Sequence, residues 1–366
     1  MNLPLTDLAR QFQPEAKFVE IREWGNGNIN RTYRVSCDRI PESDFILQRL
    51  NTDIFRQPEQ VMDNMERVTQ HMQARVQESP FLRDRVWQVP RVLPTREGKN
   101  HVIDGEGSFW RALSFIEGAH FVDTIDNSAL AEEIGFALGA FHTLISDLPA
   151  DKLNDTLPGF HITPNYLEQY EKVLAAAEFK PSAEVNYCLQ FIRDRAPKAT
   201  VLEVAKARGL LQLRPIHGDP KVNNVAIATA TGRAISIIDL DTVKPGLIHY
   251  DIGDCLRSSC NPLGEETHNW EAVKFDRDLC NAVLQGYLSV ANNFLTENDY
   301  RYLYESIFTI AFELGLRFFC DYLAGNIYFK TTDPEHNLRR ALVQLRLAES
   351  IEKQEESLRQ AIRALQ

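Results

Sequence analysis

The apolar residues of this chain change period once, and the change divides it in two. Up to about Glu117, short apolar stretches alternate with turn residues, as they do where a sheet is built. Segments 33–35, 44–50 and 109–116 read as strands. Between them, 58–76 carries Val61, Met65, Val68, Met72 and Val76 at helical spacing, with Pro58 suited to the first turn. From Ser128 the period is helical: Leu130, Ile134, Ala137, Leu138, Phe141 and Leu144 form one stripe, with Ser128 the expected N-cap. Helices are expected again over 271–294, 298–324 and 334–365. The pattern predicts an α+β chain with a sheet-bearing lobe over 1–117 and a larger, mainly helical lobe over 118–366. At 366 residues the chain is long enough for two packed cores.

Composition narrows the partners. A formal net charge of -11 and no basic block leave out the cationic footprint that nucleic acid requires. No stretch approaches the roughly eighteen apolar residues of a membrane span, and the leading MNLPLTDLARQF has no basic region followed by an apolar run. The expectation is a cytoplasmic protein that meets neither nucleic acid nor membrane and whose partners are small molecules. Its six cysteines are scattered with no CxxC pair, so reduced, mostly buried thiols are expected. Nothing in the composition sets an oligomeric state.

One stretch interrupts the helical lobe. Residues 210–254 hold an apolar, branched run, AISIID, bracketed by Gly and Pro turns, where short strands and loops are expected. Within it, Ile216-His217-Gly218-Asp219-Pro220-Lys221-Val222-Asn223-Asn224 is followed by Ile238-Asp239-Leu240-Asp241, with Asp239 fifteen residues beyond Asn224. Taken alone, an Asp in a loop is a turn former or a helix cap. The combination suits phosphoryl transfer, which needs a carboxylate to orient an attacking hydroxyl and take its proton, and oxygen ligands for magnesium on the phosphates. Asp219 and Asn224 on one loop offer the base and one ligand, and Asp239, ending the next strand, offers the other. Asp241, two residues on, would share the face of Asp239 in an extended strand.

These motifs resemble the aminoglycoside phosphotransferase and choline kinase superfamily, whose loop reads HGDxxxxN and whose metal aspartate lies in an ID-x-D/E strand end. The resemblance implies a bilobal protein-kinase-like fold, ATP and Mg2+ as cofactors, and a small-molecule kinase acting on an alcohol. By it, Asp219 is the catalytic base, Asn224 and Asp239 are metal ligands, and Asp241 is a second metal contact. Lys221 is placed like the lysine of protein-kinase catalytic loops that stabilises charge on the transferring phosphoryl. His217 is expected to hold the loop by a hydrogen bond. Gly218 stands where protein kinases often carry Arg, so the cationic clamp for an activation-loop phosphate is missing.

In the smaller lobe, WGNGNINRTY reads as strand, turn and strand. Its Gly25, Asn26, Gly27 and Asn28 would let backbone amides approach phosphate oxygens, or form a plain hairpin turn. Where the superfamily usually has Lys or Arg on the third strand, this chain has Gln48 with Arg49 adjacent, and strand alternation lets only one of them face the nucleotide. Glu66 is either the helix residue that orients it or a solvated surface carboxylate. The strand 110–118 resembles the inter-lobe hinge, which would bring the backbone of Phe115, Ile116 and Glu117 to adenine.

The segments GNGNINRTY, LQRLN, FHITP, HGDPKVNN, IDLDTVKPGLIHYDIGDCLR and LGLRFFCDYLAGNIYF are similar to the N-acetylhexosamine 1-kinases of this superfamily. Those bacterial members phosphorylate the anomeric hydroxyl of N-acetylglucosamine or N-acetylgalactosamine, which makes such a sugar the leading expected acceptor. Arg257 and Arg317 are the expected acceptor residues. Arg317 sits in an apolar helix, where a cation needs a partner or a ligand, and Asp321 one turn later is the competing partner. Asp254 is expected to brace the catalytic loop. Aminoglycoside, choline, ethanolamine and homoserine kinases are the rival enzymes, and a catalytically inactive nucleotide-binding module is the rival from another class.

Overall fold

The computed structural model describes residues 4–25, 29–38 and 44–366. Its first part is an antiparallel sheet of β1 (Phe18–Glu23), β2 (Arg31–Cys37), β3 (Phe45–Arg49), β4 (Val92–Leu93), β5 (Val102–Ile103) and β6 (Phe109–Ser114). The strand order is β1-β2-β3-β6-β4, with β5 also on β6. Alternation sends Phe45 and Leu47 to one face, where α1 (Leu5–Phe12) covers them with Leu8, Ala9 and Phe12. On the other face lies α2 (Pro58–Val76), whose Val61 and Met62 pack with Leu50 and Phe109.

Helix α2 also belongs to the second part. Its Met65, Val68 and Met72 join the large core, and the buried amide of Asn64 is satisfied entirely from there. Asn64 Nδ2 donates to the carbonyls of Asn154 (2.8 Å) and Val243 (2.9 Å), while its Oδ1 accepts from Asn154 N–H at 2.8 Å.

The chain leaves the sheet at Ser114 and enters a second one through β7 (Ala119–His120). The helices α3 (Ser128–Ile145), α4 (Thr163–Ala176), α5 (Ala183–Arg195) and α6 (Val201–Ala207) follow. Next come β8 (Arg214–Ile216), β9 (Val225–Ala228), β10 (Ala234–Ile237) and β11 (Lys244–Gly246). Strands β10, β9 and β7 pair in that order, and β11 pairs with β8. The chain ends in α7 (Ile248–Ser259), α8 (Arg277–Ala291), α9 (Glu297–Arg301), α10 (Leu303–Leu323), α11 (His336–Lys353) and α12 (Glu355–Ala364). This is the α+β, kinase-like bilobal architecture that the sequence predicts.

Helices α3 and α8 approach so closely that only glycine fits at the crossing. A Cβ on Gly135 would lie 1.9 Å from Val283 O, and one on Gly286 would lie 1.9 Å from Glu132 O.

Several boundaries differ from expectation. The N-cap of α3 is Asn127, whose side chain accepts from Leu130 N–H at 2.9 Å, so Ser128 is the first helical residue. Asp276 starts α8 later than expected by accepting from the N–H groups of Asp278 and Leu279. The last two long helical stretches are each broken, near Tyr302 and at Gln354. Among the described residues no helix is long and apolar enough to cross a membrane.

Candidate active site

The loop after β8 carries His217-Gly218-Asp219 into the cleft between the two parts. Gly218 has φ 88°, and a Cβ there would sit 2.6 Å from Thr242 O, so the turn requires glycine. His217 Nε2–H donates to the carbonyl of Ile238 at 2.9 Å, and its Nδ1 accepts from Asp219 N–H at 3.3 Å. Both bonds suit a neutral ring, and burial pushes its pKa down. The brace of this loop is Asp251 rather than Asp254. Its carboxylate accepts from the N–H groups of His217 (2.6 Å) and Gly218 (2.8 Å) and from His142 Nε2 (2.8 Å). Burial works against that charge, but the donors outweigh it and hold the carboxyl below its ordinary range.

Asp219 stands at the tip of the loop, with Lys221 Nζ donating to its Oδ2 at 2.8 Å. Asn224 Nδ2 donates to the Asp219 carbonyl at 2.7 Å, which leaves Asn224 Oδ1 as an acceptor. The carbonyl of Asn224 accepts from Ile238 N–H at 2.9 Å and so ties this loop to the next.

Asp239 is not in an extended strand. Strand β10 ends at Ile237, Asp239 has φ 66°, and Asp241 follows in a single 3₁₀ turn. The left-handed residue and the turn bring the two carboxylates together, where strand alternation was expected to do so. Asp239 is exposed, yet the surrounding protein and the like charge of Asp241 raise its carboxyl above the ordinary range, against the pull of Lys221 and Arg111.

Sequence reasoning missed Arg111. It lies on β6 directly opposite Gln48 and is only 1% exposed. Its Nε and Nη2 donate to Gln48 Oε1 at 3.0 and 2.8 Å, and Nη2 lies 2.5 Å from Asp241 Oδ1. Asn30 Nδ2 donates to the other Asp241 oxygen at 2.6 Å. Gln48 therefore faces the cleft as the holder of a cation on the neighbouring strand. Arg49 shares the opposite face with Phe45 and Leu47, where its charge is felt by Asp104. Glu66 reaches neither, since its carboxylate accepts from Asn100 Nδ2 at 2.9 Å, and Met62 and Met65 are the α2 residues against Arg111. An arginine inside the apolar strand FWRALS was the available signal.

Around the hinge, Phe115 meets Trp24 edge to face at 5.7 Å beneath Arg34, and Ile116 packs with Ala226 and Ile235. The backbone of Glu117 is already paired, because Gln88 Nε2 donates to its carbonyl and Gln88 Oε1 accepts its N–H. Gly25 has φ 77° and open space around it; Asn26, Gly27 and Asn28 lie outside the described residues.

The two expected acceptor arginines differ. Arg257 is held by Asp254 at 2.8 Å and Glu265 at 3.0 Å, so its charge is answered within the protein. Arg317 is not paired with Asp321, whose oxygens take the N–H groups of Ile327, Tyr328 and Phe329 and the amide of Asn337. Its guanidinium instead lies among the rings of Phe160, Tyr166 and Phe329 at 5.0–5.5 Å. Its charge is felt by Tyr166, Glu313, Tyr328 and Asp219.

A helical lobe and a sheet lobe, with an Asp-tipped loop, a following acidic turn and a buried cation between them, make up the site of a kinase-like phosphotransferase. The profile of the phosphotransferase enzyme family matches residues 20–288, and the chain belongs to that family as a small-molecule kinase. Its fold is shared with an aminoglycoside phosphotransferase from Alicyclobacillus acidocaldarius (TM-score 0.65, 16% identity, 100% of this chain and 98% of that one). A choline kinase from Cryptosporidium parvum matches at TM-score 0.58 and 14% identity over 94% and 91% of the chains. A microcompartment-associated aminopropanol kinase matches at 0.62 and 16% over 97% and 98%.

Proposed function

We propose that this kinase transfers the terminal phosphate of ATP, with Mg2+, to a hydroxyl of a neutral, oxygen-rich acceptor, the anomeric hydroxyl of an N-acetylhexosamine or a related sugar. Asp219 orients that hydroxyl and takes its proton. Lys221, bonded to Asp219, adds positive charge where the phosphoryl group passes. Asn224 Oδ1 and Asp239 suit a hard cation: one is an acceptor beside Asp219, and the other is an exposed carboxylate set against the like charge of Asp241. A magnesium ion held there would neutralise phosphate charge. Asp241 has Arg111 on one oxygen and Asn30 on the other, which favours it as the anchor of Arg111 over a metal ligand. In this reading Arg111 takes the place of the third-strand lysine toward the phosphates, and the backbone of Phe115 and Ile116 receives adenine.

Arg317 carries the choice of acceptor. Its charge reaches Asp219, while the acidic groups nearby have partners of their own: Asp254 has Arg257, and Glu313 has His161 and Thr163. Choline and aminopropanol, the acceptors that two relatives are named for, carry a positive charge that Arg317 would repel. A neutral sugar offers oxygen atoms to the same guanidinium. An inactive nucleotide-binding module is disfavoured by Asp219, Asn224 and Asp239 lying around one cleft. The test is a panel of sugar, aminoglycoside, alkanolamine and homoserine acceptors in an ATP-consumption assay, with the position of the phosphate read by NMR. Turnover confined to the cationic alcohols would overturn the acceptor reading.

A further inference from the structure

His161 precedes α4, is buried, and has φ 63°, a left-handed backbone uncommon for a residue with a Cβ. Its ring reaches two acceptors from distant parts of the chain. Nε2 lies 2.8 Å from the carbonyl of Gly218, the residue before Asp219, and Nδ1 lies 3.0 Å from Glu313 Oε1 on α10. The other oxygen of Glu313 accepts from Thr163 Oγ1 at 2.7 Å. A carbonyl and a carboxylate only accept, so both ring nitrogens must donate.

We propose that His161 is a positioning residue that works as an imidazolium, tying the Gly218 carbonyl to the Glu313 carboxylate and so holding Asp219 toward the acceptor. The role in turnover rests on Asp219 being the base. Burial disfavours the charge, but Glu313 and the Gly218 carbonyl outweigh it and hold the imidazole pKa above its ordinary value. The ring is faced by Glu313 on α10, by Tyr250 and Asp254 on α7, and by Phe160 of its own segment, with Arg317 over that same Phe160 ring. Tyr166 on α4 also lies beside Arg317, with its ring centre 5.0 Å from the guanidinium. Glu313 thus links the catalytic loop to the helix that carries the acceptor arginine one turn later.

A group whose pKa is raised by folding contributes fully below its ordinary pKa and loses that contribution as pH rises through the raised value. Turnover should therefore fall on the alkaline side as His161 loses its second proton, with the KM for ATP little changed. In protein carrying 15N-histidine, both ring nitrogens of His161 should be protonated at neutral pH; a ring with one bare nitrogen overturns the proposal. Glu313→Gln should move the alkaline limb of the kcat profile to lower pH. His161→Asn, which tolerates the left-handed backbone, should remove that limb and lower kcat about ten- to a hundredfold. A profile unchanged in both variants, with only a lower Tm, would make the ring merely structural and overturn the proposal. If either variant fails to fold, the wild-type NMR spectrum decides. Asp219→Asn measured alongside separates the two readings, because undiminished turnover there counts against Asp219 as the base while the histidine spectrum reports on His161 alone.

Discussion

In the proposed reading Arg111 stands in for a cation that β3 does not turn toward Asp241, since Arg49 lies on the opposite face, and Gln48 holds it. The Gln48 amide oxygen takes two of its N–H groups, so restoring the superfamily's usual residue with Gln48→Lys would remove that acceptor and set two cations face to face. A loss of about 1–3 kcal/mol is expected in urea unfolding; a gain in stability with a lower KM for ATP would show the exchange of cation to be wrong. Asp239→Asn should nearly abolish magnesium-dependent ATP turnover, because an amide is a poorer ligand for magnesium than a carboxylate. That variant should melt no lower than the wild type, since it relieves the repulsion with Asp241. Wild-type turnover at limiting magnesium would remove Asp239 from the metal site. Arg317→Ala should raise the acceptor KM about ten- to a hundredfold and leave the KM for ATP unchanged. With Asp321 engaged elsewhere, little change in Tm is expected, and a purely thermal effect would take Arg317 out of the acceptor site.

At the scale of elements, the helix crossing of α3 and α8 is the tightest constraint on the large lobe. Gly286→Ala would press a methyl group into the Glu132 carbonyl and should cost at least about 1–3 kcal/mol, read as a lower Tm with both Michaelis constants unchanged. Unaltered stability would mean that the helices part without cost. The strands and α2 were legible because their apolar spacing is regular, and Asp219, Asn224 and Asp239 stood out as candidates because two aspartates and an asparagine stand at the spacing of the HGDxxxxN and ID-x-D motifs. What joins them was not. The left-handed turn at Asp239 has no glycine to announce it, the brace of the loop lies at Asp251 where Asp254 was expected, and Arg111 meets Gln48 only through strand register. Such pairings depend on contacts distant in sequence, which local spacing does not encode.

Over the whole molecule, α2 links the two lobes, with Met62 in the core of one and Met65 in the core of the other, and Asn64 fastening it beside the turn that follows Asp241. In the proposed reading the site is assembled from both lobes: Arg111 comes from β6 and Asn30 from the residue before β2, Asp219, Asn224 and Asp239 from the loops of the larger lobe, and Arg317 from α10. The account's central claim is that this assembly moves a phosphoryl group to a neutral sugar hydroxyl with Asp219 as the base. The most direct measurement is a single-turnover reaction of wild type and Asp219→Asn with ATP, Mg2+ and N-acetylglucosamine or N-acetylgalactosamine, following sugar phosphate by 31P NMR and ATP binding by calorimetry. The account predicts an anomeric phosphate from the wild type, and in the variant a rate lower by about a hundredfold or more with ATP binding nearly intact. Product formed at equal rates by both proteins, or no sugar phosphate from the wild type, would contradict it.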